Sequence, residues 1–152
     1  MMNEANETKE FLAAGKQKIN HVLARWTGGT TFEAGRPGGV QIPVDTSGKL
    51  GPGPVDTLLC ALATCSSIDV VEILAKRRTP ADSFEVEVTG ERAIAIPARL
   101  IRVTMTYRIT GKDIDRTNAE RAIDLAITKY CSVRDSLDPD LPVEWVLVLN
   151  GV

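Results

Sequence analysis

The chain has 152 residues, 43% hydrophobic and 25% charged, with three cysteines and one histidine. This length fits one domain with a substantial core, and a formal net charge of −2 offers no electrostatic footprint for nucleic acid. The longest uncharged apolar run, Thr57–Ile68, spans 12 residues, short of the roughly 20 a bilayer span needs, so no membrane span is expected. The opening MMNEANETKEFLAAGKQK has neither the basic start nor the continuous apolar stretch of a signal peptide. A cytoplasmic location with reduced thiols is therefore expected, and an odd cysteine count suggests no structural disulfide framework.

Residues 3–15 read as a short helix or a frayed arm, so 1–15 is taken as an N-terminal arm and 16–152 as a single domain. From Lys16 to Val44 glycines and a proline break the chain into three short strands, Ile19–Trp26, Thr30–Gly35 and Val40–Val44. A Gly-Pro loop from Ser47 to Pro54 follows, with Pro54 placed to open a helix. Val55–Arg78 reads as that helix: Asp56 near its start and the basic cluster Lys76, Arg77 and Arg78 at its end suit the helix dipole, and Thr79-Pro80 stops it. Between Thr57 and Ile68 it has no charged face, so it needs cover on every side. A second subunit is the simplest source of that cover.

Phe84–Thr89 and Ile101–Ile109 alternate apolar and polar residues, as strands with one wet and one dry face do. The next helix opens on a capping box, Thr117 with Glu120. Its apolar stripe is Ala119, Ala122, Ile123, Ala126, Ile127 and Tyr130, and it ends near Cys131. Ser132 and Asp135 suit the cap of a further short helical turn. Val143–Leu149 is the last strand. The result is an α+β fold in the order β-β-β-α-β-β-α-β.

The stretch LLCALATCSSIDV, Leu58–Val70, carries two thiols five residues apart. On a helix their Cα atoms lie about 8.7 Å apart and their side chains diverge by about 140°, whereas a disulfide needs less than about 7 Å. Cys60 and Cys65 therefore cannot pair while the helix stands, and a redox pair must include Cys131. At a helix C-terminus the dipole disfavours a thiolate on Cys131; at the start of a new turn the sign reverses. Both readings stand at this level. A reactive Cys65 needs a cation or N–H donors from elsewhere, and Arg25, Arg99, Arg102 and Arg108 are the candidates. Free cysteine is also an ordinary small core residue, which is the reading taken for Cys60. Cys60 and Cys65 have poor zinc-ligand spacing, with only His21 to add, and no nucleotide-loop pattern is present. No metal or other cofactor is expected.

GPGPVDTLLCALATCSSIDVVEIL, followed later by KYCSV, resembles the OsmC/Ohr family, over roughly Lys18 to Leu149. The resemblance implies an intertwined homodimer in which two long central helices are flanked by antiparallel sheets, with active sites at the subunit interface. It also implies thiol-dependent reduction of organic hydroperoxides, an oxidative-stress defence, with Cys65 as the peroxidatic and Cys131 as the resolving cysteine. A dithiol would reset the pair; dihydrolipoyl groups do so in the Ohr branch. The chain departs from the well-characterised peroxidases at two positions. Val55 follows Pro54 where they carry Glu, and Thr30 follows Gly28-Gly29 where they carry Arg. Asp56 and Arg25 are the nearest residues of the required charge and are the tentative activating or positioning groups. The alternative is a non-catalytic relative that binds a small apolar ligand or senses oxidants through the same thiols. A purely structural role is the third reading, in which Cys65 resists thiol reagents until the protein unfolds.

Overall fold

Short strands between glycine turns make the first of two compact units, which are divided after Gly51. The computed structural model describes residues 17–152, so the expected arm or helix over residues 1–15 lies outside the described residues. Strands β1 (Leu23–Gly28), β2 (Thr31–Gly35) and β3 (Ile42–Asp45) form an antiparallel sheet in that order. The β1–β2 turn uses Gly28 and Gly29 at φ +123° and +54°, values that suit glycine because it lacks a Cβ. The first strand starts later than the sequence pattern suggests, at Leu23 rather than Ile19.

After β3 the chain turns around Asp45, whose buried carboxylate accepts four hydrogen bonds. They come from the Thr30 hydroxyl (2.6 Å), the Ser47 hydroxyl (2.7 Å), the Ser47 N–H (3.0 Å) and the Leu50 N–H (3.2 Å). These donors, Thr30 foremost, hold the carboxyl far below its ordinary range.

The second unit runs Pro52–Val152. Its sheet has the order β4-β5-β6, with β4 (Ser83–Arg92) antiparallel and β6 (Val143–Leu149) parallel to the central β5 (Leu100–Thr110). The alternation of β5 is fully expressed: Val103, Met105, Tyr107 and Ile109 are all buried. Arg102 and Arg108 stay on the wet face. Parallel β6 requires a crossover, supplied by helix α2 (Arg116–Leu125), a π-helical turn (Ala126–Tyr130) and a short helix α3 (Ser132–Asp135). Asp115, not Thr117, caps α2, its carboxylate accepting the Asn118 N–H at 3.1 Å. An Asp one place before the first helical residue is the stronger cap.

Helix α1 (Pro54–Lys76) has 23 residues and is about 35 Å long. The Asp56 carboxylate accepts the Gly53 N–H at 3.1 Å, which fixes its first turn. Its end is closed by Arg78 at φ +63° and by the Thr79 N–H bonded to the Leu74 carbonyl. Four residues at i, i+4 spacing, Leu62, Ser66, Val70 and Leu74, form its fully buried stripe. Each buried leucine or valine contributes about 1.5–3 kcal/mol. Leu59, Cys65 and Ile73 flank the stripe, whereas Leu58, Ile68 and Val71 are exposed. Cys60, expected in the core, is exposed as well; two residues before Leu62 it points about 200° away from the stripe. By length and composition alone α1 could cross a membrane, because a helix carries on past the charges that end the uncharged run at Ile68. Here its buried stripe packs into the core of the second unit. β4 passes close to α1 at Gly90, where a Cβ would stand 3.0 Å from a Leu59 methyl and 2.7 Å from a Leu100 methyl.

Candidate functional site

Cys65 lies half-buried beside the core stripe of α1. Cys131, 66 residues later in the chain, is buried at 2% exposure between the π-helical turn and α3. The π turn is what delivers it: the Cys131 N–H bonds to the Ala126 carbonyl at 2.8 Å, a five-residue closure. That extra residue shifts the register of everything after it. Tyr130, expected on the apolar stripe, is exposed, and the following thiol is buried.

Both sequence-level readings of Cys131 meet in this geometry. The residue ends one helical turn and caps the next, its sulfur accepting the Arg134 N–H at 3.4 Å. Burial pushes the Cys131 thiol up to about 11. The Arg134 and Val133 N–H groups pull it down, and the nearby Cys65 thiol pushes it further up. Burial prevails, so Cys131 is a neutral thiol at neutral pH, with Cys65 nearby.

A buried hydroxyl pair lies beside Cys65 in the chain. The hydroxyls of Ser66 and Tyr107, both fully buried, lie 2.7 Å apart, joining α1 to β5 one residue from Cys65. Burial raises Tyr107 to about 12; its bond to Ser66 opposes the rise and the nearby Cys131 adds to it. Phe84 packs edge-on against the Tyr107 ring at 6.0 Å. Sequence reasoning missed Tyr107, yet a signal was present. A tyrosine on the dry face of an alternating strand needs a hydroxyl partner, and Ser66 shares the i, i+4 spacing of the apolar residues Leu62, Val70 and Leu74. The Ser67 hydroxyl is buried with no partner among the described residues.

The candidate cations are placed as follows. Arg99 pairs with Asp138 at 3.5 Å, Arg102 with Glu144 at 3.9 Å, and Arg108 with Glu85 and Glu87 at 3.3 and 2.9 Å. All three arginines are exposed and engage carboxylates. Arg25 belongs to the first unit, exposed on β1 opposite Glu33. Thr30, at the position where the resemblance would put an arginine, is bonded to Asp45. Asp56 precedes Cys65 by nine helical residues, about 13 Å along the axis, so the two do not touch within one chain. Asp56 instead lines a cleft of about 220 Å³ with Leu59, Cys60, Ala63, Val86 and Val88. Among the described residues no group of three or more His, Cys, Asp or Glu is arranged to hold a metal ion.

The family model described as OsmC-like protein matches residues 46–146, a span that includes both Cys65 and Cys131. The chain belongs to the OsmC/Ohr family. Protein YhfA of Escherichia coli K12 is 38% identical over 110 residues, which are 72% of this OsmC/Ohr chain and 82% of YhfA. Among solved structures, an OsmC-like protein from Mycoplasma pneumoniae superposes with a TM-score of 0.75 at 18% identity, covering 88% of this chain and 99% of that one. The organic hydroperoxide resistance protein OhrB of Bacillus subtilis superposes with a TM-score of 0.58 at 19% identity, covering 84% and 96%. The two structures share the OsmC/Ohr α+β fold with this chain, with its two small sheets and long helix.

Proposed function

We propose that the protein reduces organic hydroperoxides, with Cys65 as the attacking and Cys131 as the resolving thiol. The observation that carries this reading is that two thiols 66 residues apart in the chain are brought near enough for Cys65 to raise the Cys131 thiol. In the first step the Cys65 thiolate attacks the terminal oxygen of ROOH. The O–O bond breaks, ROH leaves after taking up a proton, and Cys65 becomes a sulfenic acid. Cys131 then attacks the Cys65 sulfur and displaces water, closing a disulfide. A dithiol returns two electrons and two protons. Cys131 suits the second role: a thiol that keeps its proton resists direct oxidation and acts once an oxidised sulfur lies against it.

A homodimer is part of this reading. Leu58, Ile68 and Val71 leave an apolar face of α1 exposed, which a second copy would cover. Asp56 and Arg25 then serve as positioning groups across the interface, since Asp56 lies too far from Cys65 along its own helix. The cytoplasm, with its dithiol supply, is the proposed compartment. The reading is tested by coupled consumption of cumene hydroperoxide with a dithiol. Turnover by the native protein and none by Cys65→Ser is expected; equal rates would end the idea.

The fixed roles of Thr30 and Asp56 favour a second reading. Thr30 is bonded to Asp45 and Asp56 to the Gly53 N–H, so neither offers the activating charge within one chain. A protein that binds a small apolar ligand or senses oxidants through the same thiols would form the disulfide once without turning over. Native mass spectrometry showing a bound amphiphile, with a single-turnover burst, distinguishes it.

A further inference from the structure

Helix α3 has four residues, Ser132–Asp135, and a single helical turn is not stable on its own. The Ser136 hydroxyl bonds locally, to the Ser132 carbonyl at 2.7 Å. Arg134 supplies three ties that reach further. Its guanidinium donates to the backbone carbonyls of Asp138 (3.2 Å), Pro139 (3.5 Å) and Leu141 (3.1 Å), anchoring the turn to the segment that leads into β6. A planar fork of five N–H groups can serve several carbonyls at once. The backbone N–H of the same residue donates to the Cys131 sulfur at 3.4 Å. One residue thus links the approach to β6, through its side chain, to the buried thiol, through its backbone.

Resting on the peroxidase reading, we propose that Arg134 is a positioning residue for the resolving step: by clamping residues 138–141, its side chain holds its own backbone N–H on the Cys131 sulfur. In that step Cys131 gives its proton to solvent, and its thiolate attacks the sulfur of the Cys65 sulfenic acid. An S–S bond forms, the S–O bond breaks, and the hydroxide takes up a proton and leaves as water. An N–H donor binds a charged acceptor about twice as strongly as a neutral one, so the bond to sulfur tightens as the proton departs. The titratable and charged groups around this sulfur are Cys65 on α1, Tyr107 on β5, and Lys129, Arg134 and Asp135 on the wall of the adjoining cleft. Burial and Cys65 oppose the thiolate, whereas the Arg134 and Val133 N–H groups favour it. The guanidinium therefore governs how firmly the favourable donors are held. Backbone carbonyls do not cancel its charge, so clamp and charge have to be separated by experiment.

Two measurements on the full-length chain test this. In the first, Cys60→Ala and Cys65→Ser leave Cys131 as the only thiol, and the Cβ shift of 13C-labelled cysteine follows the onset of its ionisation. Arg134→Gln should displace that onset upward by about one pH unit, tenfold less thiolate at a given pH, as loss of one donor to a charged sulfur implies. Arg134→Lys keeps the charge but lacks the fork, and should shift the onset as far. In the second, protein with all three cysteines is mixed with one equivalent of cumene hydroperoxide and quenched in acid, and the Cys65–Cys131 link is counted by peptide mass spectrometry. Arg134→Gln should close the link about threefold more slowly at neutral pH, because a more basic thiolate is rarer but more nucleophilic. Consumption of the peroxide itself should keep its native rate. Should Arg134→Gln not fold, Arg134→Lys carries both measurements. An onset unmoved by Arg134→Gln, one restored by Arg134→Lys, or closure at the native rate would overturn the proposal while the peroxidase reading stands. Failure of the native protein to consume peroxide or to form the link would remove both.

Discussion

The Ser66–Tyr107 pair makes an asymmetric prediction. Its 2.7 Å contact is fully buried, and the two hydroxyls differ in what else they touch. Ser66 also donates to the Ala63 carbonyl at 3.2 Å, whereas the Tyr107 hydroxyl has only the Met105 sulfur at 3.9 Å. Ser66→Ala therefore leaves a buried tyrosine hydroxyl with a weak partner and is expected to cost about 2 kcal/mol. Tyr107→Phe leaves Ser66 bonded to its own helix and should cost about 1 kcal/mol. In the double variant no orphaned group remains, so its loss should fall below the sum of the singles, with a coupling of about 1 kcal/mol or more. Urea unfolding of the four proteins at neutral pH, followed by tryptophan fluorescence, measures this directly. Tyr107→Phe proving as costly as Ser66→Ala, with additive effects in the double variant, would refute the reasoning. Because the pair pins α1 to β5 one residue from Cys65, Ser66→Ala should also slow closure of the Cys65–Cys131 disulfide after a peroxide pulse.

Alkaline pH should destabilise the fold. Cys131 is raised from 9.0 to about 11 and Tyr107 from 10.0 to about 12. Both hold their protons more tightly when folded, so their contribution is complete below pH 9 and is lost as pH rises through 11 and 12. The Cys131 part amounts to about 2–3 kcal/mol; Cys131→Ala should flatten the stability profile between pH 9 and 11, and an unchanged slope contradicts the assignment. Disulfide condensation should accelerate about tenfold per pH unit from 6 to 9, as the small thiolate fraction of Cys131 grows; a pH-independent rate in stopped flow would count against Cys131 as the attacking thiol. Cys131→Ser should accumulate the Cys65 sulfenic acid, detected by dimedone labelling, and stop turnover after one cycle. Leu62→Ala, in the middle of the α1 stripe, should cost about 2–5 kcal/mol in the same urea assay.

The sequence by itself determined the element order, because its signals are local. Alternation along β5 placed Val103, Met105, Tyr107 and Ile109 on one face, and proline and glycine marked both ends of α1. The five-residue spacing of Cys60 and Cys65 excluded their pairing from helix geometry alone. Family resemblance named Cys65 and Cys131, yet nothing local showed how Cys131 would be presented. Only the tertiary structure decided that, through a π-helical turn whose extra residue has no marker in the side-chain pattern. Tertiary structure also committed Arg99, Arg102 and Arg108 to carboxylates, and the straight run of α1 kept Asp56 about 13 Å from Cys65 along the helix axis. Helix rotation placed Cys60 outside the core, and burial raised the Cys131 thiol against the pull of the N–H donors around it. Periodicity reports which way a side chain faces along its own element, while protonation and contact depend on what other elements bring to that face.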